Sequence, residues 1–353
     1  MFTAFNYRHL GNLQHEQGFF DKGVSLQRKG LKIHLAMKDT LLIAHCYLRI
    51  SVFFRESMDI DSAHFYSEKT IALSFYLNDQ GYIARAYRNL AIIYLVSKDY
   101  TNSVLYFIKA IKIQEQYGSE REVAFTYSKY GLLLLQQKKY NKAIYYLKKS
   151  IKTTVQIKLL KNLPVLYENL ELAQKGLGQY KNAVTITHLA YKRQIITTEK
   201  GILNLVNLYL SVGTPFKAAK IMTEEIKSGR ISHTSKNWGL LANAWTQAQE
   251  FNSAIAALTT ASTLHDKGSL HQQLGRIYIE QEKWSEAIKA FNQAIAKGGI
   301  KQQGETYILL GMSHYELDQP QLAKSTFLKA QKHPKTRETA LQWLDYLDHS
   351  TAN

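Results

Sequence analysis

Residues Gly268–Ala294 read GSLHQQLGRIYIEQEKWSEAIKAFNQA. Leu274, Gly275 and Tyr278 lie at helical spacing, the polar run Gln281-Glu282-Lys283 interrupts, and Trp284, Ala287, Phe291 and Ala294 resume it. Steps of three and four residues place one apolar stripe on each of two short helices. Gly275 and Ala287 are small where the stripes must cross, and the aromatic residues plug the space around them. The stretch predicts a helical hairpin with a polar turn.

The same pattern extends in both directions. Taking Gly275 as position 8 of a repeat, the equivalent residues are Gly11, Ser51, Ala91, Gly131, Glu171, Val206, Ala242 and Gly311. The first four steps are all 40 residues, and the later ones are 35, 36, 33 and 36. Position 20 reads Gly23, Ala63, Ser103, Ala143, Ala183, Ala218, Ala254, Ala287 and Ala323, small throughout, because a larger side chain there would force the helices apart at a cost of about 1–3 kcal/mol. Glu171 and Val206 break the small-residue rule at position 8 and Glu225 breaks it at position 27, which marks the fifth and sixth repeats as irregular. Pro164, Pro215, Pro320 and Pro334 all fall at expected helix boundaries, where a missing amide is tolerated. Lys335–His349 reads as one more amphipathic helix, with Leu341, Trp343, Leu344 and Leu347 among charges. The expected organisation is therefore 1–200 with a 40-residue period, 201–334 with a shorter one, and 335–353 as capping helix and tail.

Composition bounds the rest. Four prolines in 353 residues favour helix throughout, and the single Cys46 excludes an intramolecular disulfide or a cysteine-based zinc cluster. No apolar run is long enough to span a membrane. The opening MFTAFNYRHLGN lacks a signal peptide and enters a helix almost at once, so an upstream segment is expected; the cytoplasm is the expected compartment, or the periplasm if that segment is an export signal. Net charge is +17, and residues 1–200 carry +14 of it. That half suits an acidic partner, nucleic acid or an anionic surface.

On the spacing of small residues at positions 8, 20 and 27 and aromatic residues at 4, 11 and 17, the chain resembles the tetratricopeptide repeat proteins over residues 4–334. The resemblance implies an all-α, right-handed superhelical solenoid of about nine hairpins plus a C-terminal capping helix. It also implies a non-enzymatic scaffold without cofactor, holding a peptide or protein segment in a concave groove lined by first helices. Positions 2, 5, 6, 9 and 12 of those helices would face the groove. They give Arg8, Asn12, Arg49, Arg85, Asn89, Lys129, Asn169, Asn204, Asn207 and Asn243 as candidate ligand-binding residues, with Arg88 and Arg276 beside them. Asparagine amides can donate to and accept from a peptide backbone, and the cations would select carboxylates. Arg8, Asn12 and Arg85 match in type the carboxylate clamp of chaperone adaptors, whereas Arg49 and Asn89 depart from it. The plain alternative for each residue is a solvated helix position.

Val123–Tyr167 holds nine lysines and no acid, yet only Lys129 falls on the inner register, so an outer solvated face is the simpler reading than a nucleic-acid site. The 23 tyrosines mostly fall at positions 4, 11 and 17 and read as core. His15-Glu16 lacks the second histidine of a zinc-protease motif, and the twelve histidines show no metal-ligand spacing. Rival readings are the sensor arm of a signalling protein and a basic binder of nucleic acid or anionic surfaces.

Overall fold

A computed structural model describes residues 2–265 and 267–350, the side chain of Ser350 excepted; Met1 and the end of the expected tail, 351–353, lie outside the described residues. The chain divides into two compact units, Met1–Ile195 and Ile196–Asn353. Among the described residues there are nineteen α-helices and no strand.

The first unit holds α1 (Phe2–Glu16), α2 (Phe20–Ala36), α3 (Thr40–Glu56), α4 (Ile60–Tyr76), α5 (Gln80–Val96), α6 (Tyr100–Tyr117), α7 (Glu120–Gln136), α8 (Tyr140–Gln156), α9 (Leu163–Gly176) and α10 (Tyr180–Lys192). They pair in sequence as five antiparallel hairpins. The second unit holds α11 (Glu199–Ser211), α12 (Pro215–Lys227), α13 (Ser235–Gln247), α14 (Phe251–Leu264), α15 (Gly268–Glu280), α16 (Trp284–Lys297), α17 (Gln303–Glu316) and α18 (Pro320–Ala330), four more hairpins, and then α19 (Arg337–Ser350). The nine expected hairpins are present, and within each unit they stack as a helical solenoid.

The small residues act as the sequence requires. Every position 20 from Gly23 to Ala323 is buried, as is every position 8 from Gly11 to Gly311. Gly11 and Gly23 face one another so closely that a Cβ on either would stand 3.1 Å from the other's carbonyl oxygen. Where serine replaces glycine or alanine, its hydroxyl donates across the crossing: Ser103 to the Ala91 carbonyl at 2.7 Å, and Ser51 to the Ala63 carbonyl. The two acidic exceptions are also buried, and each is compensated. Glu171 accepts from the Thr187 hydroxyl and pairs with Lys175, while Glu225 takes a two-pronged contact from Arg230.

Turns in the first unit recur every 20 residues. Lys38, Met58, Asn78, Lys98, Lys138, Lys158 and Gly178 all have positive φ and end a helix. The following residue closes that end: Asp39, Asp59 and Asp79 each donate their amide to the carbonyl five residues back. Their side chains, with that of Asp99, then cap the next helix by accepting from Leu42, Ser62, Tyr82 and Asn102 amides.

A second ladder follows the 40-residue period. Tyr47 meets Tyr66, Tyr87 meets Tyr106 and Tyr127 meets Tyr146, with ring centroids 5.6–5.8 Å apart. Lys69, Lys109 and Lys149 lie 5.1–5.5 Å from the centroids of Tyr47, Tyr87 and Tyr127. These tyrosines thus form a seam between first and second helices, half-buried apart from the buried Tyr127, and Tyr180 is exposed.

At the end of the second unit α19 packs on α18 through Ala340, Leu344 and Leu347, and Trp343 stacks on Phe327 at 5.3 Å. Leu341, expected on that face, is exposed: Ala340 takes its place, because residues 340, 344 and 347 fall on one side of the helix.

Candidate binding groove

The inner wall is set by how the hairpins stack. In the first unit α3 approaches α5, α5 approaches α7 and α7 approaches α9, while successive second helices make no comparable approach among the described residues. A stack drawn together on that side presents its first helices as the inner wall.

On α1 and α3, Asn12 and Arg49 come together. The Asn12 side-chain oxygen accepts from Arg49 Nε at 2.9 Å and from Gln27 Nε2 at 3.1 Å, and the Arg49 guanidinium lies over Phe53 at 5.1 Å. Arg8 is half-buried, and its buried Nε has no hydrogen-bond partner among the described residues. His45 faces this cluster, and burial, followed by the charges of Arg8, Arg49 and Arg85, lowers its pKa to about 3. His45 is therefore neutral at ordinary pH and adds no charge to the arginines.

The next rung corrects one expectation. Asn89 is 3% exposed. Its amide nitrogen donates to the Ser51 and Ser67 hydroxyls at 2.7 Å each, and its oxygen accepts from Arg55. Asn89 shares the helical register of Arg49 and Lys129, but its side chain is short and turns into the crossing between hairpins, where two serines leave room. It is an interior tie, not a groove ligand.

Arg55 also pairs with Glu56 at 2.8 Å, and Glu56 stands 2.9 Å from His15, which stacks on Phe53 with centroids 4.0 Å apart. Arg85 pairs with Glu122 at 2.6 Å. Arg88 lies over Phe125 at 5.1 Å, and Lys129 approaches the same ring at 5.4 Å. Burial, then the nearby Arg85 and Arg55 against the opposing pull of Glu122, lowers Arg88 to about 10; burial and Arg55 lower Lys129.

Of the remaining candidates, Asn169 is half-buried on α9 in the first unit. Asn204 is half-buried on α11, and Asn207 and Asn243 are exposed on α11 and α13, all in the second unit; Asn243 accepts from Gln247 at 3.0 Å. The ten candidates thus divide seven to three between the units. Sequence reasoning passed over Arg55 and His15, although both fall at position 12 of the inward register, and it passed over the acids Glu56 and Glu122 that hold the arginines. The lysines of the basic stretch lie outside this wall apart from Lys129. Lys138, Lys139, Lys142, Lys148 and Lys152 are exposed on the turn and on α8.

Stacked helical hairpins of this kind define a helical repeat protein, and among the described residues no group of His, Cys, Asp and Glu is placed to hold a metal. Residues 82–153 and 269–299 each match the tetratricopeptide repeat. Both units therefore carry tetratricopeptide repeats. Similar solved structures include BtubC (BKLC) from P. vanneervenii, at 19% identity and TM-score 0.47 over 52% of this chain and 76% of that one. MamA protein is similar at 18% identity and TM-score 0.44, over 50% of this chain and 95% of that one. A tetratricopeptide repeat protein from Parabacteroides merdae is similar at 11% identity and TM-score 0.45, over 79% of this chain and all of that one. No curated protein matches the chain. No helix among the described residues is long and apolar enough to cross a membrane.

Proposed function

We propose that the inner wall of the Met1–Ile195 unit holds an extended, acidic peptide or protein segment. The observation that carries this reading is a charge imbalance. Arg8, Arg49, Arg55, Arg85, Arg88 and Lys129 project from successive first helices, and Glu56 and Glu122 are the acids that pair with arginines there. Such a row, partly desolvated against Phe53 and Phe125, favours carboxylates at successive places along a chain. The side-chain oxygen of Asn12 and both ends of the Asn89 amide are already engaged, so recognition rests on the cations and not on an asparagine ladder.

The test is fluorescence anisotropy with a labelled peptide of alternating Glu and Ala, blocked at both ends. Its Gln counterpart and a single-stranded oligonucleotide serve as comparators. The acidic peptide is expected to bind at least tenfold more tightly than the Gln peptide, with affinity falling as salt rises because the contacts are ionic. Equal binding of the two peptides, or tighter binding of the oligonucleotide than of the acidic peptide at the same salt concentration, overturns the reading.

A further inference from the structure

Four cations meet between α3, α5 and α7: Arg55, Arg85, Arg88 and Lys129. Two carboxylates serve them, and both are taken, Glu56 by Arg55 and Glu122 by Arg85. Arg88 and Lys129 make no ion pair among the described residues, and the buried Nη1 of Arg88 has no hydrogen-bond partner there. A buried guanidinium nitrogen without an acceptor is costly, and the fold nonetheless retains it beside the partly exposed Phe125 ring. Both free cations lie against one ring, Phe125, which is 41% exposed and so forms an apolar floor open to solvent. Arg88 belongs to α5 and Lys129 to α7, so the pair bridges two hairpins.

We propose that Arg88, Phe125 and Lys129 form an anion pocket that seats carboxylate groups of the bound segment, with Arg88 as its specificity-determining residue. The planar guanidinium offers a two-pronged contact through its unpartnered edge, and Lys129 supplies a point charge beside it. The ring beneath excludes water from one side and takes the methylene stem of a glutamate. Side chains on alternate residues of an extended strand share a face, so an acidic segment reaches both cations in one pass. This pocket rests on the groove reading given above and names the place within it where acidity is read. The carboxylates belong either to acidic side chains or to a chain terminus.

The experiment uses the full chain and three labelled probes: the blocked Glu-Ala peptide, the blocked Gln-Ala peptide, and the Gln-Ala peptide with a free C-terminal carboxylate. The variants are Arg88→Gln, Arg88→Lys, Lys129→Gln and, as an outer-face control, Lys142→Gln, each checked for an unchanged thermal melt. The pocket predicts at least a tenfold loss of affinity in Arg88→Gln and in Lys129→Gln for whichever carboxylate probe binds. It predicts a partial loss in Arg88→Lys, where charge remains but the fork is gone, and none in Lys142→Gln. Preference for the blocked Glu-Ala probe identifies side-chain carboxylates, and preference for the free-ended probe identifies the terminus; either supports the pocket. If carboxylate probes bind the wild-type chain and both Arg88→Gln and Lys129→Gln retain full affinity, the pocket is overturned while the groove reading stands. If no carboxylate probe binds the wild-type chain, both fall. Should Arg88→Gln alter the melt, Lys129→Gln on the neighbouring hairpin decides the outcome.

Discussion

Asn89 joins two serines of the neighbouring hairpin to an arginine of the groove wall, so its contribution is cohesion between hairpins. Replacing it with alanine removes a buried donor shared by the Ser51 and Ser67 hydroxyls, which keep each other and the Ala63 carbonyl, takes one acceptor from Arg55, and leaves a gap between the hairpins. Asn89→Ala is expected to cost about 2 kcal/mol, read as a lower urea midpoint. His45 sets a pH dependence at the same scale. Its folded pKa, about 3, lies below the ordinary 6.5, so between those values the unfolded chain binds a proton that the folded chain does not. The stability associated with neutral His45 is fully present above pH 6.5 and is lost as pH falls toward 3, by at most about 1.4 kcal/mol per pH unit. His45→Gln should flatten that part of the stability–pH curve; an unchanged slope would show that other groups set it. The register that placed Asn89 on the groove side takes no account of side-chain length. It fails for a short side chain beside a serine-lined gap, which no spacing rule reveals.

At the scale of helices and turns, most of the structure was legible. The 40-residue steps and the small residues at positions 8 and 20 became the observed crossings, because contact between backbones is a requirement that only small side chains meet. The 20-residue rhythm of the turns was harder to see, since its left-handed positions carry lysine, methionine and asparagine where glycine would have been conspicuous. The aspartates after those positions are what the rhythm depends on locally. Asp79 accepts from the Tyr82 amide at 2.9 Å, and Asp79→Ala should lower stability by about 1 kcal/mol, measured by thermal or urea unfolding. The buried acids Glu171 and Glu225 were read as flaws in the pattern: Thr187 reaches Glu171 only once its hairpin closes, and Arg230 reaches Glu225 by the turn the chain makes just after α12.

Over the whole chain, stability comes from neighbour on neighbour, as it must in a repeat array, so an exposed last surface is a weakness. In the second unit α19 covers that surface, placing Leu344 and Leu347 against the Phe327 cluster. A chain ending at Lys335 should melt several degrees lower and aggregate more readily, as seen by calorimetry and light scattering. The groove candidates were legible at this scale only as a trend of cations along first helices. The charge count that leaves Arg88 and Lys129 over depends on which acids reach which arginines, and that is decided by packing.

The recurrence of a left-handed residue followed by aspartate also makes the first unit divisible. Met58-Asp59 and Lys98-Asp99 are the same junction two helices apart, so excising residues 59–98 would splice Met58 directly to Asp99 and regenerate a joint of the kind already present. The chain is in this sense written in interchangeable segments, and its reach along a bound partner could be shortened or lengthened by whole segments without inventing a new joint.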